Sequence, residues 1–198
     1  MVSNASFEVV TWNQTYKMLL SQAEKITRHF NPEILVGLAR GGWIPTRIMS
    51  DLLDNPTVAS VRIECYTGQS QNKEQVLLTQ PVSAKVTDKQ VLLVDEVVET
   101  GRSLKLAEEH IRSQGAAEIK TATLFYKPWS ALKPDFYEKQ TKLWIVFPWE
   151  IKETVKCMIE NNINDLEQIK NQSSKLIKAG APKNLVLRFI KETLEANR

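Results

Sequence analysis

The sequence has only two cysteines in 198 residues, Cys65 and Cys157. Two distant thiols build no disulfide framework, so a reduced, cytoplasmic setting is the expectation. No apolar run is long enough to span a bilayer. The opening Met1-Val-Ser-Asn-Ala-Ser6 has neither a basic stretch nor an apolar core, so no signal peptide is expected. Internal repeats and low-complexity tracts are absent. An excess of one charge is missing too: 26 Lys and Arg stand against 23 Asp and Glu, a net +3. That balance argues against nucleic acid as the partner. What is there is a chain 42% hydrophobic and 25% charged, ample for one domain with a sizeable core and a small appendage.

The most informative stretch is Gln90-Val-Leu-Leu-Val-Asp-Glu-Val-Val-Glu-Thr-Gly-Arg-Ser-Leu104. Its first half is an unbroken Val/Leu run, the mark of a strand buried on both faces of a parallel sheet. Three carboxylates follow, Asp95, Glu96 and Glu99, then a Thr100-Gly101-Arg102-Ser103 turn that opens a helical pattern closing at Gly115. Ligands of open α/β sheets bind outside the carboxyl ends of the strands. Backbone N–H groups at a helix start, with two hydroxyls, suit a phosphate. Adjacent acids suit ribose hydroxyls or a hydrated Mg²⁺. The plain alternative is a solvated strand end with Ser103 as the helix cap.

Upstream, Phe7–Val10 predicts a short strand. Thr11 and Gln14 form a capping-box pattern, and apolar spacing from Trp12 to about His29 predicts an amphipathic helix with Trp12 and Tyr16 in the core. Ile34–Ala39 predicts a buried strand, then an Arg40-Gly41-Gly42 turn and a helix to about Leu53 with Pro45 in its first turn. The glycine pair permits close approach of a ligand, and Arg40 offers a donor fork for phosphate. Ala59–Tyr66 predicts a strand, 67–75 a mobile loop, and Val76–Leu78 with Pro81-Val82 a second short strand. Glu118–Lys127 predicts another buried strand, followed by a Pro-bracketed loop over 128–137. Leu143–Glu150 is apolar, and Pro148 argues against a central strand there. Helices are expected from Lys152 to Glu160, from Asn164 to Ala179, and after Pro182. Lys127 with Trp144 offers a cation and an aromatic plate for a planar ring bearing an exocyclic oxygen. A snorkelling lysine and an ordinary core tryptophan are the alternatives.

The run Val-Leu-Leu-Val-Asp-Glu-Val-Val-Glu-Thr-Gly-Arg-Ser resembles the phosphoribosyl-pyrophosphate (PRPP) motif of the type I phosphoribosyltransferases. Phe125-Tyr-Lys-Pro128 and Trp144-Ile-Val-Phe-Pro-Trp-Glu150 are similar to the purine-recognition end of the xanthine-guanine (6-oxopurine) phosphoribosyltransferases, as are Val9-Val-Thr-Trp-Asn13 and the Arg-Gly-Gly-x-x-Pro run. The resemblance spans roughly residues 7 to 150. It implies an α/β fold with a mostly parallel central sheet flanked by helices and a small hood, over residues 1–150. Residues 151–198 are then a helical appendage that packs on the core or a second copy. It further implies transfer of the phosphoribosyl group from Mg²⁺-bound PRPP to a 6-oxopurine, giving a nucleoside monophosphate and pyrophosphate, in purine salvage. The expected assembly is a homodimer or homotetramer, with no membrane partner.

By the same resemblance, Ala39, Arg40, Gly41 and Gly42 bind pyrophosphate, and Asp95 and Glu96 hold ribose hydroxyls and the metal's waters. Glu99, Thr100, Gly101, Arg102 and Ser103 cradle the 5′-phosphate. Lys127, Trp144 and Ile145 bind the purine, and Tyr66 begins an active-site lid. Glu99 is also the acid near purine N7. Three positions depart from the pattern: the usual Asp-Asp pair is Asp95-Glu96, the N7 acid is Glu rather than Asp, and Arg102 stands for Gly. Rival readings are a PRPP- or nucleotide-sensing regulator with this fold, and an adenine or pyrimidine transferase.

Overall fold

The computed structural model describes residues 6–54, 57–67 and 74–196. In chain order the first elements are β1 (Phe7–Val9), α1 (Trp12–His29), β2 (Ile34–Ala39), α2 (Trp43–Leu52), β3 (Val58–Thr67) and β4 (Glu74–Gln80). They are followed by β5 (Gln90–Val98), α3 (Arg102–Ser113), β6 (Glu118–Tyr126), β7 (Phe136–Gln140) and β8 (Trp144–Val146). Three helices close the chain, α4 (Ile151–Glu160), α5 (Leu166–Lys178) and α6 (Lys183–Ala196). The chain divides into two compact units, residues 16–141 and residues 1–15 with 142–198. The boundary expected at 150 falls inside the second.

The 16–141 unit is built on a six-stranded sheet in the order β4-β3-β2-β5-β6-β7. All its pairs are parallel except the β3–β4 edge hairpin. The fold class is the expected α/β one. Val91, Leu92, Leu93 and Val94 of β5 are fully buried, as a strand covered on both faces requires. One core cluster joins Val36, Val61, Val91 and Leu93 of the strands to Leu104, Ala107 and Ile111 of α3. Polar groups on the buried side are satisfied: Gln22 of α1 donates to the Thr123 carbonyl at 2.8 Å.

The other unit carries β1 paired in parallel with β8, and a core of Phe7, Val146, Val155, Met158, Ile159, Leu176 and Val186. The β8 strand is short and outside the main sheet, consistent with Pro148 ending it.

Several expectations change. The segment 128–137 is not all loop, since Phe136 and Tyr137 open β7, an edge strand in register with Ala122 and Thr123 of β6. Trp12 and Tyr16 are not core residues but 54% and 48% exposed. The buried stripe of α1 is Thr15, Leu19, Gln22, Ala23 and Ile26. The β4 strand runs from Glu74 to Gln80 and leaves Pro81 and Val82 outside. Helix α5 is capped by Asp165, whose side chain accepts from the Gln168 N–H at 2.9 Å, one residue later than expected. The capping box of α1 forms as read: Gln14 N–H donates to Thr11 Oγ1 at 3.2 Å, and Thr11 N–H to Gln14 Oε1 at 2.8 Å.

Candidate functional site

Because β2, β5 and β6 are neighbouring parallel strands, the segments leaving them emerge on one edge of the sheet. These are the Arg40-Gly41-Gly42 turn, the Asp95–Ser103 stretch and Lys127. The Ala39–Arg40 peptide is cis. Gly42 N–H donates to the Leu38 carbonyl at 2.8 Å and Trp43 N–H to the Arg40 carbonyl at 3.1 Å, which tightens the turn into α2. A side chain at Gly42 would meet the Leu38 N and O at 2.8 Å, and one at Gly41 would run into the Glu96 carboxylate. Both glycines are therefore fixed by close packing rather than by positive φ.

Asp95 and Glu96 are successive residues of one strand, so their side chains leave on opposite faces. Glu96 is 7% exposed and sits under Gly41. Asp95 is half-buried, and its Oδ1 accepts from the Glu96 N–H at 2.8 Å. The two acids thus sit in different surroundings.

The phosphate-type turn is held from two sides. Gly101 has φ +85° and caps α3 without a side-chain bond, and no acid lies in the first turn of that helix. Its N-terminal field is left to attract an anion. Ala131 N–H donates to the Thr100 carbonyl at 3.2 Å. A side chain at Gly101 would come within 2.9 Å of Leu132 and of Ser130 Oγ. On the other side Ser103 Oγ lies 3.6 Å from Cys65 Sγ.

Lys127 is the only buried cation among the described residues, at 4% exposure. Its N–H donates to the Val98 carbonyl at 2.9 Å, fixing it beside the end of β5. Its Nζ lies 3.7 Å from Glu99 Oε2 and over the Trp129 indole, 5.6 Å from the ring centre. Lys127 and Glu99, read separately in the sequence, are thus brought together. The arrangement offers a donor and an acceptor side by side next to the start of α3. An open cleft of ≈ 460 Å³ is lined by Ala39, Arg40, Arg62, Ile63, Glu64 and Cys65. Arg62 and Glu64 form a 2.5 Å ion pair there. Cys65, Arg62 and Trp129 were missed from sequence, because nothing about residue type marks them until β3 and the 128–132 turn are in place.

Trp144 and Ile145 lie on β8 in the other unit, with Trp144 39% exposed and Ile145 8%. Trp144 N–H donates to the Ser6 carbonyl at 3.0 Å. Tyr66 lies on β3 with its backbone opposite Gln75 of β4. Residues 68–73 of the expected lid lie outside the described residues.

The phosphoribosyl transferase domain family matches residues 9–154, most of the chain. The chain belongs to the phosphoribosyltransferase family. The crystal structure of a purine phosphoribosyltransferase from Pyrococcus horikoshii is 35% identical to this phosphoribosyltransferase, with TM-score 0.67, over 73% of this chain and 93% of that one. The xanthine-guanine phosphoribosyltransferase of Cereibacter sphaeroides is 29% identical over 59% of this chain and 68% of its own length. A hypothetical protein from Neisseria gonorrhoeae, solved with bound ppGpp, has TM-score 0.65 at 19% identity. It covers 98% of this chain and 99% of its own, so that fold likeness takes in the C-terminal helices.

A phosphoribosyltransferase of this kind implies Mg²⁺. Among the described residues no three His, Cys, Asp or Glu side chains group to hold a metal. Mg²⁺ is commonly held by one or two carboxylates with the substrate's phosphates and water. Asp95, a half-buried oxygen donor at the strand end, fits that mode, whereas Glu96 leaves the opposite face and packs under Gly41.

Proposed function

We propose that the chain is a purine phosphoribosyltransferase that joins a 6-oxopurine to the ribose of Mg²⁺-bound PRPP, recycling preformed bases in the cytoplasm. One observation carries this reading: a buried ammonium, Lys127, 3.7 Å from the Glu99 carboxylate on the phosphate-type turn. A 6-oxopurine presents an acceptor at O6 beside N7. Lys127 donates to O6 and Glu99 takes the N7 side, while a 6-amino group has no acceptor to offer.

The bond from ribose C1′ to the pyrophosphate oxygen breaks, pyrophosphate leaves with the electron pair, and the base nitrogen bonds to C1′. The proton released from the base passes to Glu99 or to water. Arg40 supplies guanidinium donors to the departing pyrophosphate, and the Arg40–Gly42 turn lets the backbone come close. Asp95 accepts from the ribose hydroxyls. The 5′-phosphate is held by the backbone of 100–103 at the start of α3 and by the Thr100 and Ser103 hydroxyls. Asp95 would hold Mg²⁺ at the strand end together with the substrate's oxygens and water, and the ion would there neutralise charge on the pyrophosphate. Trp144 and Ile145 are assigned to the base on the family resemblance alone. The protein's contribution is positioning and charge compensation.

The test is PRPP-dependent release of pyrophosphate with guanine, xanthine, hypoxanthine, adenine and the pyrimidine bases. Turnover with one or more 6-oxopurines well above adenine supports the reading. Binding of PRPP or a nucleotide with no turnover on any base would replace it with a sensor.

A further inference from the structure

Trp129 is half-exposed, yet its place is fixed. It follows Pro128 in a tight turn closed by Ser130 N–H donating to the Lys127 carbonyl at 3.0 Å. The turn is then fastened at Ser130, whose hydroxyl donates to the Leu132 carbonyl at 2.8 Å. It is fastened again at Ala131, through the bond to Thr100. The indole so positioned is 53% exposed and lies under the Lys127 ammonium, 5.6 Å from Nζ to ring centre. That distance is within the range of a cation–π attraction, strongest where the cation is desolvated. Lys127 is such a cation.

We propose that Trp129 is a specificity-determining residue, whose indole holds the Lys127 ammonium toward the 6-position of the base so that a 6-oxo group is taken in preference to a 6-amino group. The inference rests on the reading of Lys127 as the base-contacting group. The ring of Trp129 and the Glu99 carboxylate, 3.7 Å away, both attract this ammonium. With the ring present the ammonium is drawn to it as well as to Glu99, and stays within reach of a base oxygen. With the ring gone the ammonium is no longer held toward the base, and its contact with the 6-oxo group weakens while Glu99 keeps its place. Trp129 acts through Lys127, so it is a positioning residue and takes no part in the bond changes.

The experiment uses the full chain and three variants, Trp129→Ala, Trp129→Leu and Trp129→Phe. Hypoxanthine and adenine are the bases, and the base and PRPP are varied separately. Removing the ring face is expected to raise the hypoxanthine KM by about threefold to thirtyfold, the span of a cation–π contact. The adenine KM, the PRPP KM and kcat stay unchanged, so the preference for hypoxanthine narrows by the same factor. Phe restores most of the preference because it keeps a ring face. Leu keeps apolar bulk without one and behaves as Ala, which preserves the test if Ala unfolds. An unchanged hypoxanthine KM in Trp129→Leu, or an equal rise in the PRPP and hypoxanthine KM, overturns the proposal. The second outcome would mean only that the 128–132 turn props the phosphate turn. A wild-type chain that turns over hypoxanthine while its variants match it defeats this inference alone. A wild-type chain that uses no 6-oxopurine defeats the functional reading and this inference with it.

Discussion

The two units use glycine and buried polar groups in opposite ways. In the 16–141 unit, Gly41, Gly42 and Gly101 are pressed against the Glu96 carboxylate, the β2 backbone and the 130–132 turn. Its buried charges among the described residues, Glu96 and Lys127, both lie toward strand ends. In the unit of 1–15 and 142–198, Gly180 has a positive φ of +114° but meets only Val9 Cβ, at 3.9 Å. There the buried polar groups are Thr, Ser and Gln side chains among apolar helix faces. Close backbone packing and buried charge occur together where a ligand is expected, and neither occurs among the described residues of the helical unit. The first unit is therefore expected to answer substitution in catalysis, and helices α4 to α6 of the second in stability.

The largest effect should come from Glu99. Gln keeps the size of the side chain but cannot take a proton. Glu99→Gln is expected to lower kcat by about a hundredfold to ten-thousandfold, the usual value of acid–base help, with PRPP affinity little changed. Steady-state kinetics check it. A near-normal kcat with a raised PRPP KM would leave Glu99 as a shaping residue of the phosphate turn and weaken the contrast between the units.

The helical unit should respond in the other direction. Gln172 on α5 is 1% exposed, and neither atom of its amide has a hydrogen-bond partner among the described residues. Leaving such groups unpaired costs about 1–3 kcal/mol. Gln172→Leu should raise the unfolding free energy by about 1 kcal/mol or more and leave kcat/KM unchanged. Chemical denaturation with parallel kinetics reads both. A loss of activity here would show that helix α5 is not merely structural.

The smallest effect is electrostatic. Hydrogen bonds from Arg188 and then Lys152 hold the Glu192 carboxyl below its usual pKa. A depressed carboxylate stabilises the fold above its unfolded pKa, about 4.3 for Glu. That contribution fades as the pH falls through the lower folded value. Glu192→Gln should lower stability slightly near neutrality, where the contribution is complete, and flatten the acid limb so that variant and wild type converge below that window. A thermal melt series across acid pH decides it, and an identical acid limb in the variant would remove the assignment.

Much of the first unit was legible in the sequence because its signals are local. A four-residue apolar run ending in acids, a Gly-Gly turn and a Thr-Gly-x-Ser helix start each announce themselves within a few positions. The β7 strand did not, because Pro128 and Pro134 bracket its approach. As an edge strand it is only half-covered, so Phe136–Gln140 lacks the apolar run of β5. On α1, apolar spacing pointed to Trp12 and Tyr16, but the inward stripe includes Thr15 and Gln22. Gln22 is satisfied by the Thr123 carbonyl, a partner 101 residues away that no local pattern contains. The Lys127–Glu99–Trp129 cluster was half-legible. The first two were read from their places at strand ends, whereas Trp129 became visible only when the turn brought it under the ammonium.

The central claim is that Lys127 selects a 6-oxopurine, and Lys127→Ala tests it most directly. Losing a charge-assisted bond costs about 1.5–3 kcal/mol. The variant's kcat/KM with hypoxanthine, measured beside wild type with both hypoxanthine and adenine, should therefore fall by about tenfold to a hundredfold. Its activity with adenine should hardly move. A wild-type enzyme that prefers adenine, or a variant that loses both bases equally, would contradict the account.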